Sequence, residues 1–312
     1  MSASMSEPAR LPNEDPNASS RLDAAYAHVE AEVHRHDPDR WLAALWAPAD
    51  RRRHLHALYA FSGEIARIRD LVSDPLPGEV RARWWADMLA GRRGSEGEGH
   101  PVAAALLDTV RRFDLPVEPL DRLIDARIFD LYDDPMPSLA ELDAYCDDTV
   151  SSLFGLGCRL LGGHCEEPDV AAAIRAAGRA WGVTGLIRAL PFHVSRGQLF
   201  LPVDLLAAHG GDPADVLAGR CTPALRTTLA ALRAHARDAV AETRRHIARV
   251  PITAAPVFLP VTLVEPMLDR MEKPGWEPFR HPVELPPWRR HWRMWRSASR
   301  ARRIARRRGE VV

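Results

Sequence analysis

Apolar residues recur at steps of three and four along this chain, whereas the period-two alternation that marks β-strands is nearly absent. Three such stripes cover residues 58–72, 139–160 and 225–247. Stripes of this period are typical of amphipathic helices that bury one face in a shared core. Proline punctuates the chain between them, at Pro75, Pro116, Pro135, Pro213 and Pro223. Because proline interrupts a helix but suits its first turn, we predict an all-α fold with helix boundaries at these points.

Three regions of the 312 residues differ in composition. Residues 1–20 are rich in Ser, Pro, Asn and Glu, and we predict that they are disordered because they cannot bury a core. Residues 21–286 carry the helical stripes and form one predicted all-α domain. Residues 287–312 are rich in Trp and Arg and form a predicted basic tail. The chain is 46% hydrophobic and 27% charged, as is usual for a soluble globular protein.

The charge and cysteine content of the chain indicate where the protein resides in the cell rather than which reaction it catalyses. The chain has 42 basic and 42 acidic residues, so its net charge identifies no class of partner. Its cysteines show no metal-type spacing, which favours a reducing compartment, and its most apolar run, 254–264, is too short to cross a bilayer. Together with the Ala-rich and Arg-rich composition, these features predict a bacterial cytoplasmic protein that is peripheral to the inner membrane.

Two segments carry motifs that identify a family. Residues 40–89 contain WLAALWAP, ALYAF and LPGEVRARWWADML, and residues 180–205 contain RGQLFLP. In combination these motifs resemble the squalene/phytoene synthase family. The resemblance implies an isoprenoid (terpenoid) synthase fold, a single helical domain around a central cavity. It also implies an enzyme that joins two prenyl diphosphates head to head with Mg²⁺.

The acidic residues on which that chemistry depends are largely missing. The family holds Mg²⁺ with two D-x-x-x-D pairs, since carboxylates at i and i+4 share one helix face. The first pair falls at Ala66 and Asp70, and the second at Ala189 and His193. Alanine offers no ligand atom, so we predict no metal site, no cofactor and no catalytic residues. Mg²⁺ is expected only if the chain is nevertheless an active prenyltransferase with an altered site.

Other family positions have changed as well. The serines that contact phosphate align with Asp37 and Asp39, which would repel a diphosphate. A literal D-x-x-x-D remains at Asp70 and Asp74, but Asp74 precedes a proline and is expected to lie beyond the end of the helix. If a substrate or lipid chain binds, the resemblance implies four contact residues, which are Tyr59, Arg188, Arg196 and Phe200.

One string of residues indicates a branch of the family. The segment 188–196 reads RALPFHVSR and resembles members that act as assembly factors for respiratory complex I rather than as enzymes. The resemblance implies a catalytically degenerate, membrane-peripheral accessory protein whose partners are complex I subunits or assembly intermediates. An isoprenoid or lipid chain in the retained cavity is a further expected partner. The alternative is a head-to-head prenyl diphosphate transferase with an altered site.

The basic tail has a pattern of its own. Trp288, Trp292 and Trp295 fall on one helix face, and ten arginines outnumber the single acid Glu310. The arginines are Arg289, Arg290, Arg293, Arg296, Arg300, Arg302, Arg303, Arg306, Arg307 and Arg308. This pattern predicts a helix at an anionic membrane or a partner surface, with Trp288, Trp292, Trp295, Arg289, Arg293 and Arg296 as the contact residues. Packing of the tryptophans on the domain is one alternative, and binding to nucleic acid, for which no specific contacts are predicted, is the other.

Overall fold

The computed structural model describes residues 16–94, 96–280 and 283–307. Sixteen α-helices lie in this part of the chain, and it contains no strand. They are α1 Pro16–His36, α2 Pro38–Ala44, α3 Ala49–Ala66, α4 Pro75–Leu89, α5 Glu96–Gly99, α6 Pro101–Phe113, α7 Glu118–Ile128, α8 Leu139–Cys146, α9 Ser152–Leu160, α10 Pro168–Val194, α11 Val203–Ala208, α12 Pro213–Leu217, α13 Pro223–His246, α14 Ala255–Phe258, α15 Val264–Met271 and α16 Pro287–Arg307. The predicted all-α fold is therefore confirmed.

Short irregular helices connect several of these elements. Five 3-10 helices span Ile68–Leu71, Phe129–Leu131, Ile247–Arg249, Ile252–Ala254 and Leu259–Leu263, and a π-helix spans Asp147–Ser151. The predicted boundaries hold, because α4, α12 and α13 each begin at a proline. The Asp212 and Thr222 side chains cap α12 and α13 by accepting hydrogen bonds from backbone N–H groups, which satisfies donors that the helix leaves unpaired.

The long helix α10 lies at the centre of the domain and packs along α13 and against the π-helix. Glycines in α10 allow this helix to approach the π-helix closely. A Cβ atom at Gly178 would lie 2.7 Å from backbone atoms of Ser151, and one at Gly182 would lie 2.7 Å from Cys146 Sγ. Real Cβ atoms do not tolerate such contacts, so these two positions fix how closely α10 and the π-helix pack.

The two predicted ends of the domain need correction. Helix α1 already begins at Pro16, so the predicted disorder of residues 1–20 does not hold for 16–20, and residues 1–15 lie outside the described residues. The tail is not separate from the domain either. Helix α16 packs on α2, α14 and the Leu259–Leu263 helix, with Met294 and Ala298 buried. Arg308 and Glu310 lie outside the described residues.

One stretch, Ile252–Met271, is long and apolar enough to cross a membrane by length and composition. Its most apolar window is 67% buried inside the domain. It comprises α14, α15 and two 3-10 helices rather than one continuous α-helix. Val264, Met267 and Leu268 in its second half are fully buried. This burial is what a core element of a helical domain shows.

Candidate functional site

The first predicted metal pair does not bring two carboxylates together. Helix α3 ends at Ala66, and Asp70 lies in the following 3-10 helix. The Asp70 carboxylate forms an ion pair with Arg196, a residue of the RGQLFLP motif. Asp74 is exposed and precedes the first turn of α4, as its proline neighbour predicted. Asp70 is therefore left with an arginine as its partner, where a metal site needs a second carboxylate.

The second predicted pair lies in the last turns of α10. Ala189 contributes only a methyl group there. The His193 ring stacks on Phe200 with 4.5 Å between centroids. Burial lowers the pKa of His193 to about 4, and the positive charges of Arg127 and Arg196 act in the same direction. The imidazole is therefore neutral at physiological pH, and it packs as an aromatic ring.

These residues do not fit a magnesium ion. Mg²⁺ prefers oxygen ligands in octahedral geometry, and at the four family positions only Asp70 offers an oxygen, which already faces a guanidinium. Within residues 16–94, 96–280 and 283–307, no group of three or more His, Cys, Asp or Glu side chains is arranged to hold a metal ion. No step of chemistry through Mg²⁺ follows from this arrangement.

The positions that would contact phosphate hold a cluster of paired charges instead. Asp37 caps α2 by accepting the Arg40 N–H at 3.1 Å. Asp39 is only 5% exposed, and its Oδ1 atom lies 3.5 Å from Nε of Arg290 in α16. Burial raises the pKa of Asp39, and the charges of Arg290 and Arg188 oppose that rise. The C-terminal helix thus supplies the counter-charge for a carboxylate at one of the two positions that align with the family's phosphate-contacting serines.

Two of the four predicted substrate contacts lie near these charges, and a third lies near Asp70. Tyr59 is buried beneath the Arg40 guanidinium, which lies 5.4 Å from the ring centroid, and its burial raises its pKa. Arg188 donates from Nε to the Val283 carbonyl at 3.1 Å, and burial lowers its pKa. Arg196 instead pairs with Asp70 and lies 3.7 Å from the Phe192 ring centroid. The first two therefore belong to the cluster around Asp39, and Arg196 belongs to the one around Asp70.

The fourth predicted contact, Phe200, belongs to a buried aromatic cluster. Its ring centroid lies 5.6 Å from that of Tyr145 and 6.1 Å from that of Phe129. Next to it lies a buried ion pair that the sequence analysis missed. Arg127 donates to Asp130 at 3.0 Å and to the Tyr145 hydroxyl at 2.8 Å, and that hydroxyl donates to Asp130 at 2.8 Å. The Arg-x-x-Asp spacing at 127 and 130 was the available signal, since residues at i and i+3 meet on a helix.

Two cavities lie away from these residues. One has a volume of about 310 Å³ and lies between the start of α3, α14 and α16, and the other has about 380 Å³ and lies beside α9 and α10. Neither is lined by Tyr59, His193 or Phe200. A Cβ atom at Gly63 or Gly185 would meet nothing within 4 Å, so open space remains beside α3 and α10. A lipid chain in a central cavity stays a prediction.

Known structures first establish the class of protein. The chain superposes on a dehydrosqualene synthase crystal structure with a TM-score of 0.78 and 16% identity, covering 91% of this chain and 99% of that one. It also superposes on a squalene synthase from Alicyclobacillus acidocaldarius with a TM-score of 0.68 and 22% identity, covering 82% and 97%. The predicted isoprenoid synthase fold is therefore confirmed.

Sequence comparison then establishes the family. The squalene/phytoene synthase family model matches residues 33–296, so the chain belongs to that family, as predicted. It is 32% identical over 250 residues to the rat (Rattus norvegicus) NADH dehydrogenase (ubiquinone) complex I assembly factor 6, covering 80% of this chain and 74% of that protein. It is 26% identical over 260 residues to the Thermus thermophilus phytoene synthase, covering 82% and 86%. The matched region extends into α16, so part of the tail belongs to the family domain.

Proposed function

We propose that this protein is a non-catalytic, membrane-peripheral member of its family that serves as an accessory or assembly factor for respiratory complex I. The observation that carries the proposal is the state of the former metal and phosphate positions. Ala66 and Ala189 provide no ligand atoms, and the remaining carboxylates Asp39 and Asp70 are paired with Arg290 and Arg196. The likeness to the rat complex I assembly factor 6 supplies the cellular role.

Loss of these groups argues against prenyl transfer on electrostatic grounds. Departure of a diphosphate requires positive charge to stabilise the leaving group as the bond breaks. At this site Arg290 and Arg196 already face carboxylates of the same chain, Asp39 and Asp70. A diphosphate would have to displace those partners and would leave buried Asp39 without its counter-ion, which is costly.

The rival function is a prenyltransferase with an altered site, and the relationship to phytoene synthases favours it. Purified protein should be incubated with Mg²⁺ and either farnesyl or geranylgeranyl diphosphate, and pyrophosphate release measured. We expect release at the level of the enzyme-free blank, with the Thermus thermophilus phytoene synthase as the positive control. Turnover that disappears in Asp70→Asn would establish the rival function.

The accessory role requires a second experiment, because absent turnover does not identify a partner. Affinity-tagged protein should be recovered from solubilised membranes of its native host and the bound proteins identified by mass spectrometry. We expect subunits of complex I to be enriched over a tag-only control. Deletion of the gene should lower the amount of assembled complex I on native gels, and an unchanged amount would contradict the assembly role.

Helix α16 supplies the proposed membrane contact. Trp288, Trp292 and Trp295 are 70%, 47% and 55% exposed, while Met294 and Ala298 on another face are buried in the domain. These exposed fractions favour a contact outside the domain over packing of the three tryptophans on it. Indole rings beside arginines on an exposed helix suit the interface of an anionic bilayer, and the domain holds this helix with its aromatic face outward. We propose a bacterial cytoplasmic location at the inner membrane on this basis.

A further inference from the structure

We infer that the cavity between the start of α3, α14 and α16 binds one acyl chain of an anionic phospholipid, taken from the membrane that α16 contacts. This inference rests on the membrane association proposed above. The cavity has a volume of about 310 Å³. That value is at the lower end of the range for small-molecule sites, about 300–1,000 Å³, so it suits part of one chain rather than a whole lipid. It lies apart from the former catalytic positions.

The walls of this cavity are apolar. Alanine and other small or aliphatic side chains from three parts of the chain leave the space open. They include Leu45, Ile252, Ala255, Leu259, Ala298 and Ala301. An aliphatic chain that left water for such a surface would gain roughly 0.8 kcal/mol for each buried methylene.

The charged side chains that line the cavity are both basic. Arg52 and Arg302 are among its lining residues, and no carboxylate is. The cavity beside α9 differs, since Asp147, Asp148 and Glu166 accompany its arginines. A site with apolar walls and two guanidinium groups, and with no carboxylate among its lining residues, is complementary to an amphiphile with a negatively charged headgroup.

Each arginine is held at the cavity by contacts within the chain. Arg52 donates from Nη2 to the carbonyls of Leu45 at 3.0 Å and Ala47 at 3.4 Å. The Arg302 guanidinium lies 5.3 Å from the centroid of the Trp46 ring. Within the described ranges, neither side chain forms an ion pair, and Arg52 Nε is buried without a hydrogen-bond partner. A lipid phosphate or ester oxygen in the cavity would therefore meet guanidinium groups that no carboxylate of the described ranges neutralises.

The position of Arg302 connects the cavity to the proposed membrane face. Arg302 follows Trp295 by seven residues, which is close to two helical turns, so both lie on nearly the same side of α16. Both are exposed, while Ala298 and Ala301 beside them line the cavity. A lipid headgroup at the level of the tryptophans would therefore reach Arg302 while one of its chains enters between α16 and α14.

The test is photo-crosslinking of full-length protein on vesicles. The vesicles contain phosphatidylcholine and phosphatidylglycerol, and the phosphatidylglycerol carries a diazirine near the end of one acyl chain. After irradiation and digestion, mass spectrometry should find lipid on peptides that contain residues 45–48 and 252–259. Label confined to residues 288–295 would overturn the proposal, because it would show surface contact alone.

Two variants with one matched control sharpen the result. Ala301→Phe fills the cavity without changing charge and should reduce label at 252–259 to background. Arg302→Ala should reduce the label at 252–259 about fivefold, which corresponds to the ~1 kcal/mol of one basic contact. The control Arg303→Ala removes the same charge from the same helix. It should leave the ratio of cavity label to label on residues 288–295 unchanged. Equal labelling in Ala301→Phe and wild type, or equal loss in both arginine variants, would overturn the proposal. If Ala301→Phe does not fold, the arginine pair still decides.

Two further arms identify the source of the ligand and the cause of failure. A diazirine fatty acid added without vesicles should label the cavity far less than the phospholipid does, and equal labelling would overturn the assignment to a membrane lipid. Vesicle co-sedimentation of the same samples reports membrane binding separately. Binding without cavity label contradicts this inference alone, whereas absence of binding contradicts the membrane part of the proposed function.

Discussion

The pairing of Asp39 with Arg290 predicts that the C-terminal helix contributes strongly to folding stability. The two charged atoms lie 3.5 Å apart, and the side chains are 7% and 16% exposed. At an effective dielectric constant of about 20, two unit charges at this distance attract by about 5 kcal/mol. Removal of one partner from a buried pair costs about 3–5 kcal/mol, because the other charge stays buried. We expect Arg290→Ala to lower the free energy of unfolding by about 3 kcal/mol, the lower end of that range, since Arg188 remains near Asp39.

Urea unfolding followed by circular dichroism measures this loss, and the chain offers a matched control. Arg300 lies on an exposed part of the same helix, so Arg300→Ala should change stability by less than about 0.5 kcal/mol. The double variant Arg290→Ala with Asp39→Asn should recover part of the loss, because the buried charge is gone. An Arg290→Ala effect as small as that of Arg300→Ala would refute the argument that this pair fixes α16 to the domain.

The same pair makes a prediction about pH with a defined sign. Burial already raises the pKa of Asp39, and Arg290 opposes that rise, so Arg290→Ala should raise the pKa further. In the variant, the folded state then binds a proton more readily than the unfolded state. The destabilisation should therefore be largest at neutral pH, shrink as pH falls through the raised pKa of the folded state, and vanish below the pKa of the unfolded state. A loss that is independent of pH between neutral and acidic conditions would contradict this account.

Three further predictions concern packing, protonation and the membrane face. Gly178→Ala should destabilise the domain by about 2 kcal/mol, because the new Cβ atom would clash with backbone atoms of Ser151. Gly185→Ala, whose Cβ atom would meet open space, should instead stabilise the helix by about 0.5–1 kcal/mol. Urea unfolding measures both changes. Burial lowers the pKa of His56 to about 4, so at this group the unfolded state binds more protons than the folded state between that value and about 6.5. His56 alone should therefore contribute up to ~1.4 kcal/mol per pH unit to the loss of stability on acidification, and His56→Leu should lessen the slope by that amount. Sedimentation with anionic vesicles should weaken with salt and weaken further in Trp292→Ala, which keeps the charge; insensitivity to both changes would argue for a different use of α16.

Local sequence patterns determined the parts of this structure that depend on neighbouring residues. The stripe at 225–247 became α13 with Leu225, Leu229 and Leu232 buried, because helix amphipathicity is set within a few turns. The stripe at 139–160 is less regular than predicted, since the π-helix interrupts it at Asp147–Ser151. The π-helix packs against α10, and a tertiary contact of this kind is not recorded in the period of one segment.

Contacts between distant parts of the chain were beyond the sequence analysis. The Asp39–Arg290 pair joins residues at opposite ends of the chain, and no spacing rule connects them. The buried and exposed sides of α16 are a second feature that depends on distant parts of the chain. The i, i+4, i+7 spacing predicted that its three tryptophans share one face, but not which face is exposed. Exposure of that face and burial of Met294 and Ala298 depend on a surface formed by α14 and the Leu259–Leu263 helix.

If the proposed non-catalytic function is correct, the family's metal site has been replaced in this domain by ion pairs within the chain. A centre that binds diphosphates needs arginines and metal ions with unopposed positive charge. Here Asp39, Asp70 and Asp130 each face an arginine of the same chain, so the positive charge is already neutralised when no ligand is present. A single Ala66→Asp substitution would restore the spacing of the first pair without restoring a site, because Asp70 would keep Arg196 as its partner. Recovery of catalysis would require removal of those arginine contacts as well as addition of carboxylates, and each such removal would leave a charge to be solvated or paired anew.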